Sequence, residues 1–207
     1  MSYIRRMTRR FDRSAAFWLG GVLFLVAIVA YAAYMDDRRL SVNPATYRPL
    51  LQLIGRAESN GNYNAYFGNV SNSATRFTDM TIAEVLAWQQ NYVKQGSPSS
   101  AVGRYQIIST TLEGLVRELG LERAQKFDPA TQDRLAIALL ERRGAEHYVN
   151  NELTDKQFAA NLAQEWAALP KTLGSRPDAS YYDGDGLNAS RVKVDEVLQA
   201  IEPISAQ

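Results

Sequence analysis

Leu50-Leu51-Gln52-Leu53-Ile54-Gly55-Arg56-Ala57-Glu58-Ser59-Asn60-Gly61-Asn62-Tyr63 begins as a helix and ends as a turn. Leu50, Leu51, Leu53, Ile54 and Ala57 recur with the helical period and form one apolar stripe. Ser59-Asn60-Gly61-Asn62 is turn chemistry and stops the helix at once. Glu58 therefore falls on the last turn of an apolar helix, at the edge of a polar loop. The negative end of the helix dipole and the apolar neighbours both disfavour its ionised form, so its pKa is expected above the ordinary carboxylate range. A carboxyl kept protonated near neutral pH can serve as a general acid. Taken alone, the same stretch also fits a solvated Glu at a fraying helix end.

Outward from this helix, the 207 residues, 46% of them hydrophobic, suffice for one well-cored domain plus an appendage. The appendage is Ala15 to Tyr34, a run without a charge. Twenty helical residues span roughly 30 Å, the thickness of a bilayer's hydrocarbon core. Arg5, Arg6, Arg9, Arg10 and Arg13 precede it against Asp12 alone, whereas Asp36 and Asp37 balance Arg38 and Arg39 after it. The positive-inside rule then places the amino terminus in the cytoplasm. The expected order is a basic cytoplasmic tail over 1–14, a transmembrane signal anchor over 15–35, a linker over 36–49 and a domain over 50–207. That makes a single-pass protein of the inner (plasma) membrane, with its domain periplasmic or otherwise extracytoplasmic. Ala30-Tyr31-Ala32 resembles a cleavage site, so a removable signal peptide is the rival reading, and an anchor that later leaves the membrane is a third.

Charge and residue usage exclude several chemistries. Residues 1–40 carry a net of +4 and residues 41–207 a net of −3, so the domain lacks the basic footprint of a nucleic-acid binder. No cysteine is present, which removes thiolate nucleophiles and thiolate metal ligands. His147 is the single histidine. Asp183-Gly184-Asp185-Gly186 begins like a calcium loop but lacks the later acidic ligand and reads as a turn. No Ser/His/Asp set and no Gly-rich phosphate loop is evident, so neither metal nor cofactor is expected.

The rest of the domain reads as mainly α (α+β), with a small irregular β or loop lobe over Asn60 to Asp79. Thr81-Ile-Ala-Glu84 opens a helix with a capping box. Further helices are expected over about Ser109 to Leu119, from Asp128-Pro129 to Arg143, from Thr154 to Ala168, and from Ala189 to Ile201.

Carboxylate chemistry beside an aromatic-rich loop suits cleavage of a polysaccharide. Ala57-Glu58-Ser59 with its polar turn, Gly103-Arg-Tyr-Gln-Ile-Ile-Ser109, Phe127-Asp-Pro-Ala-Thr-Gln-Asp133 with Glu141-Arg-Arg-Gly144, and Glu165-Trp-Ala-Ala-Leu-Pro170 follow in order. Together they resemble the lysozyme-like superfamily and, within it, the lambda-type phage endolysins, which are lytic transglycosylases. The resemblance covers about residues 50–175. It implies peptidoglycan glycan strands as substrate and Glu58 as the acid that protonates the oxygen between N-acetylmuramic acid and N-acetylglucosamine. The same group would then take a proton from the sugar's own 6-hydroxyl, leaving a 1,6-anhydro end. It further implies substrate contacts for Ser59, Tyr63, Tyr105 and Gln106, with Tyr105 a possible stacking face. Gln132, Asp133, Trp166, Leu169 and Pro170 read as residues that hold the fold. A hydrolytic muramidase would need a second carboxylate, for which Asp79 is the candidate, although Asp79 also reads as the lead-in to the next helix. A membrane-anchored glycan-binding or assembly protein without activity is the reading from another class.

Overall fold

Arg48-Pro49 starts the first helix, because proline in a first turn gives up no hydrogen bond and its φ is already helical. In a computed structural model, which describes residues 44–205, helix α1 spans Arg48–Ser59 and follows a 3-10 turn over Pro44–Tyr47. The expected basic tail and membrane anchor lie outside the described residues, and so does most of the linker. Among the described residues no helix is long and apolar enough to cross a membrane.

Local signals set most later helix starts. Helix α2 (Ile82–Lys94) opens on the expected capping box: Glu84 N–H donates to the Thr81 hydroxyl at 3.2 Å, and Thr81 N–H donates to the Glu84 carboxylate at 2.7 Å. Helix α3 covers Ser109–Glu118. Helix α4 (Pro129–Arg142) starts where the Asp128 carboxylate accepts from Thr131 N–H at 2.8 Å. Helix α5 (Ala145–Val149) resumes directly after the left-handed Gly144, a position the sequence marks only as a stop. Helix α6 (Asp155–Ala163) opens on a second capping box, Thr154 with Gln157. Helix α7 covers Val194–Ser205.

The apolar stripe of α1 is buried against α7, and α7 also packs on α5 and α6. Leu50, Ile54, Leu135, Phe158, Leu162 and Ile201 meet in this core with no exposed surface. Each such side chain contributes about 2 kcal/mol through area removed from water. The first and last described helices are therefore neighbours, and the end of α1 is fixed from both halves of the chain.

Of the β and loop forms expected for the lobe after α1, it takes the loop, with isolated bridges such as Tyr66 with Val102 and Val102 with Ile107. Its asparagines explain why. Asn62 donates to the Val70 and Asn72 carbonyls at 2.9 Å, Asn72 to those of Asn64 and Thr75, and the Asn64 side chain accepts from Thr78 N–H at 2.9 Å. Side chains have taken the backbone partners that a ladder would use. Helix α6 ends at Ala163 rather than Ala168, because Gln164 N–H and Glu165 N–H turn to the carbonyls three residues back, Asn161 at 3.2 Å and Leu162 at 2.9 Å. The last helix starts at Val194 rather than Ala189, since Ser190 bonds the Val192 carbonyl at 2.9 Å and Glu196 caps Lys193 N–H at 2.9 Å. It then continues through Pro203.

Candidate active site

Helix α1 ends in a left-handed residue, Asn60, at φ 53°. Asn60 N–H bonds the Arg56 carbonyl at 3.1 Å and Gly61 N–H the Gly55 carbonyl at 2.9 Å, an αL closure that a small polar residue and a glycine allow. The abrupt stop sends the neighbours Glu58 and Ser59 into different surroundings. Ser59 is buried, and its hydroxyl bonds the Gly55 carbonyl at 3.0 Å and the Arg104 carbonyl at 2.8 Å. Glu58 faces a cleft of about 530 Å³ that runs between the lobe and the segments after α6.

One Glu58 oxygen, Oε1, accepts from Ala168 N–H at 3.0 Å. A carboxyl held by one oxygen in this way can carry and deliver a proton on the other. Burial pushes the Glu58 carboxyl above its ordinary range, while the Ala168 N–H and the positive charge of Arg191 pull it part of the way back. This acid owes its partner to the early end of α6. Had that helix continued, Ala168 N–H would serve the carbonyl four residues earlier.

The structure sorts the other expected site residues. Gln106 lines the cleft, and its amide donates to the Gly103 carbonyl at 2.9 Å. Tyr105 borders the cleft but is only 2% exposed, so its ring is no open stacking face. Its hydroxyl donates to Asp133 at 2.7 Å, as does that of Tyr63 at 2.8 Å. Burial and the Asp133 carboxylate together push both phenols upward, which keeps them neutral donors. Tyr63 is not among the cleft residues, and Ser59 is covered by the turn it holds. These three residues support the site from behind.

Asp79 lies away from the cleft, exposed in a 3-10 turn over Phe77–Asp79 that leads into α2. Arg76 holds it at 2.6 Å and lowers its pKa. Its place is that of a helix lead-in.

Gln132 and Gly103 explain how the turn behind Glu58 is held. The buried Gln132 amide donates to the Tyr63 and Phe127 carbonyls at 3.0 Å and accepts from Arg104 N–H at 2.9 Å. A side chain at Gly103, which has φ 78°, would collide with the Gln132 oxygen. Gly55 is confined in the same way, since Arg104 lies directly over it on its way to the faces of Tyr63 and Tyr105.

Several cleft residues carried no local signal. Arg143 and Glu165 form an ion pair at 2.8 Å in the cleft wall. Tyr182, 40% exposed, presents the most open aromatic face and fixes its hydroxyl on the Gln164 carbonyl at 2.7 Å. Asn188 and Arg191 complete that side. Glu165 stood within a recognisable block, but nothing in its spacing aimed it at Glu58. Tyr182, Asn188 and Arg191 come from an irregular stretch whose return to the site depends on tertiary packing.

Comparison with known proteins returned one match. No curated protein and no solved structure matches the chain. A family model described as Endolysin matches residues 50–183, more than half of the chain, from the start of α1 through the Tyr182 side of the cleft. On that match, the chain belongs to the endolysin family, the peptidoglycan-degrading enzymes.

Proposed function

We propose that this endolysin cuts the β-1,4 bond between N-acetylmuramic acid and N-acetylglucosamine as a lytic transglycosylase, with Glu58 as acid and then base. The observation that carries the reading is the single unpaired carboxyl of the cleft. Glu58 has one oxygen tied to Ala168 N–H and a raised proton affinity, whereas Glu165, the other acid lining the cleft, is neutralised by Arg143. Protonated Glu58 gives its proton to the glycosidic oxygen as that bond breaks. The resulting carboxylate takes the proton from the 6-hydroxyl as its oxygen closes on C1, so proton and charge balance without water. One carboxyl completes both steps. Gln106 and Tyr182 contact the strand; Ser59, Tyr63 and Tyr105 act through the position of Glu58 and its neighbours.

Mass spectrometry of muropeptides released from purified peptidoglycan tests this. Wild type should leave 1,6-anhydro ends and Glu58→Gln none. Ends heavier by one water would make the protein a muramidase, with Glu165 as the acid to examine. A folded wild type that releases nothing would leave glycan binding without cleavage.

The domain over 50–207 is further proposed to work outside the membrane, tethered by residues 15–35 with the tail 1–14 in the cytoplasm. The uncharged run behind an arginine cluster supports this. Protease added to spheroplasts should remove the domain and leave a short membrane-bound stub.

A further inference from the structure

We propose that Arg191 is a positioning residue, which clamps the hydrogen-bond partner of Glu58 onto the end of α1 and holds a positive charge beside that acid. The inference rests on Glu58 as the acid of the reaction. Its basis is a closed circuit of contacts. Glu58 Oε1 accepts from Ala168 N–H at 3.0 Å. The Ala168 carbonyl accepts from Arg191 N–H at 2.9 Å. The Arg191 guanidinium then reaches back to the Ala57 carbonyl at 3.3 Å, one residue before Glu58. Two sides of a single arginine thus tie the turn after α6 to the last turn of α1. Arg191 also stands beyond residue 183, where the family match ends, so this contact is supplied by a part of the chain that the match does not reach.

The other charged groups around the acid are already committed. Arg56, also on α1, pairs with Glu196 of α7 at 2.7 Å. Arg143, at the end of α4, pairs with Glu165. Arg104, from the turn behind, lies over the rings of Tyr63 and Tyr105 at 5.0 and 5.8 Å. Among the nearby phenols, Tyr105 donates to Asp133 and Tyr182 to the Gln164 carbonyl. Among the described residues no carboxylate pairs with Arg191, and its charge is the one that opposes the effect of burial on Glu58. Burial alone would hold the proton too tightly for the carboxylate stage of the reaction. Arg191 offsets that, so Glu58 can both give a proton and act as a base near the working pH.

The test is the pH profile of wall clearing by the full chain in detergent, on purified peptidoglycan, for wild type, Arg191→Gln and Arg191→Lys. Losing the cation favours the protonated acid, so the alkaline limb of Arg191→Gln should move to higher pH, with the maximal rate down about tenfold. Arg191→Lys should return the limb to its wild-type position while restoring only part of the rate, since an ammonium cannot reproduce the guanidinium fork. A merely structural arginine would lower the rate at every pH and leave the limb in place, and that result overturns the proposal. Should Arg191→Gln lose its helical circular dichroism, Arg191→Met, which keeps the apolar stem, carries the same comparison. Glu58→Gln measured alongside separates the two levels: if it still clears wall, the acid assignment itself is wrong. An inert Glu58→Gln beside an unmoved Arg191→Gln limb removes only the role of Arg191.

Discussion

Two turns meet at the end of α1, and they do different work. The turn Gly103 to Gln106 is held by a buried amide, two phenols and a carboxylate, and it touches Ser59. The turn Glu165 to Ala168 is held largely through backbone groups, and it touches Glu58. The first joins neutral donors to one shared carboxylate and to backbone carbonyls, and it defines position. The second surrounds the one cleft acid that combines a raised proton affinity with no ion-pair partner. Rigidity lies behind the site and, on the proposed function, proton chemistry in front of it, on consecutive residues of one helix.

Breaking the front should cost activity and spare the fold. Glu58→Gln should lower wall clearing by about 10²- to 10⁴-fold, the usual contribution of a positioned acid. It should also be more stable than wild type at neutral pH. A carboxyl with a folded pKa above its unfolded one binds more protons when folded, so its ionisation costs stability as pH rises through that range. The gap between the melting temperatures should therefore close below about pH 4, where both states are protonated. A Glu58→Gln protein no more stable at neutral pH would break the contrast between the two turns.

Breaking the back should do the reverse. Gln132→Ala removes a buried amide that makes three hydrogen bonds and strands their partners, which should destabilise the domain by about 3 kcal/mol in urea unfolding. Activity per folded molecule should change far less than in Glu58→Gln. Tyr182→Ala sharpens the front face alone: we expect KM to rise several-fold with kcat nearly unchanged, because an exposed aromatic contact is lost at equal cost to substrate and transition state. The smallest effect should come from Asp79→Asn. Its exposed pair with Arg76 lies outside the cleft, and clearing rates within twofold of wild type would set aside a two-carboxylate mechanism through that residue.

Much of this division was legible in the sequence because it rests on short-range signals. The stripe from Leu50 to Ala57, the stop at Ser59 to Asn62, the capping box at Thr81 and the Asp128-Pro129 start each act within one or two turns. Glu58 could be singled out from that local context, with a solvated helix end as the rival, and the family resemblance supplied its expected role. The lobe could be read only as irregular β or loop, because β-propensity says nothing of where asparagine side chains send their hydrogen bonds. Tyr105 was offered as a stacking face because a sequence cannot show that Asp133 faces it from another helix. Arg143, Tyr182 and Arg191 converge on the site from segments whose meeting depends on the whole core.

The neighbouring of α1 and α7 has a consequence for how the enzyme comes into being. The partner of Glu58 lies 110 residues further along the chain, and the Arg56–Glu196 pair closes a span of 140. Contacts of such long sequence separation form only after a large loop-closure entropy has been met, so they are expected late in folding. A chain interrupted before residue 168 can hold a helical α1 yet has no group to orient its acid. On the proposed role of Glu58, catalytic competence arrives with the last elements to be made, and a partly synthesised or clipped chain should be silent.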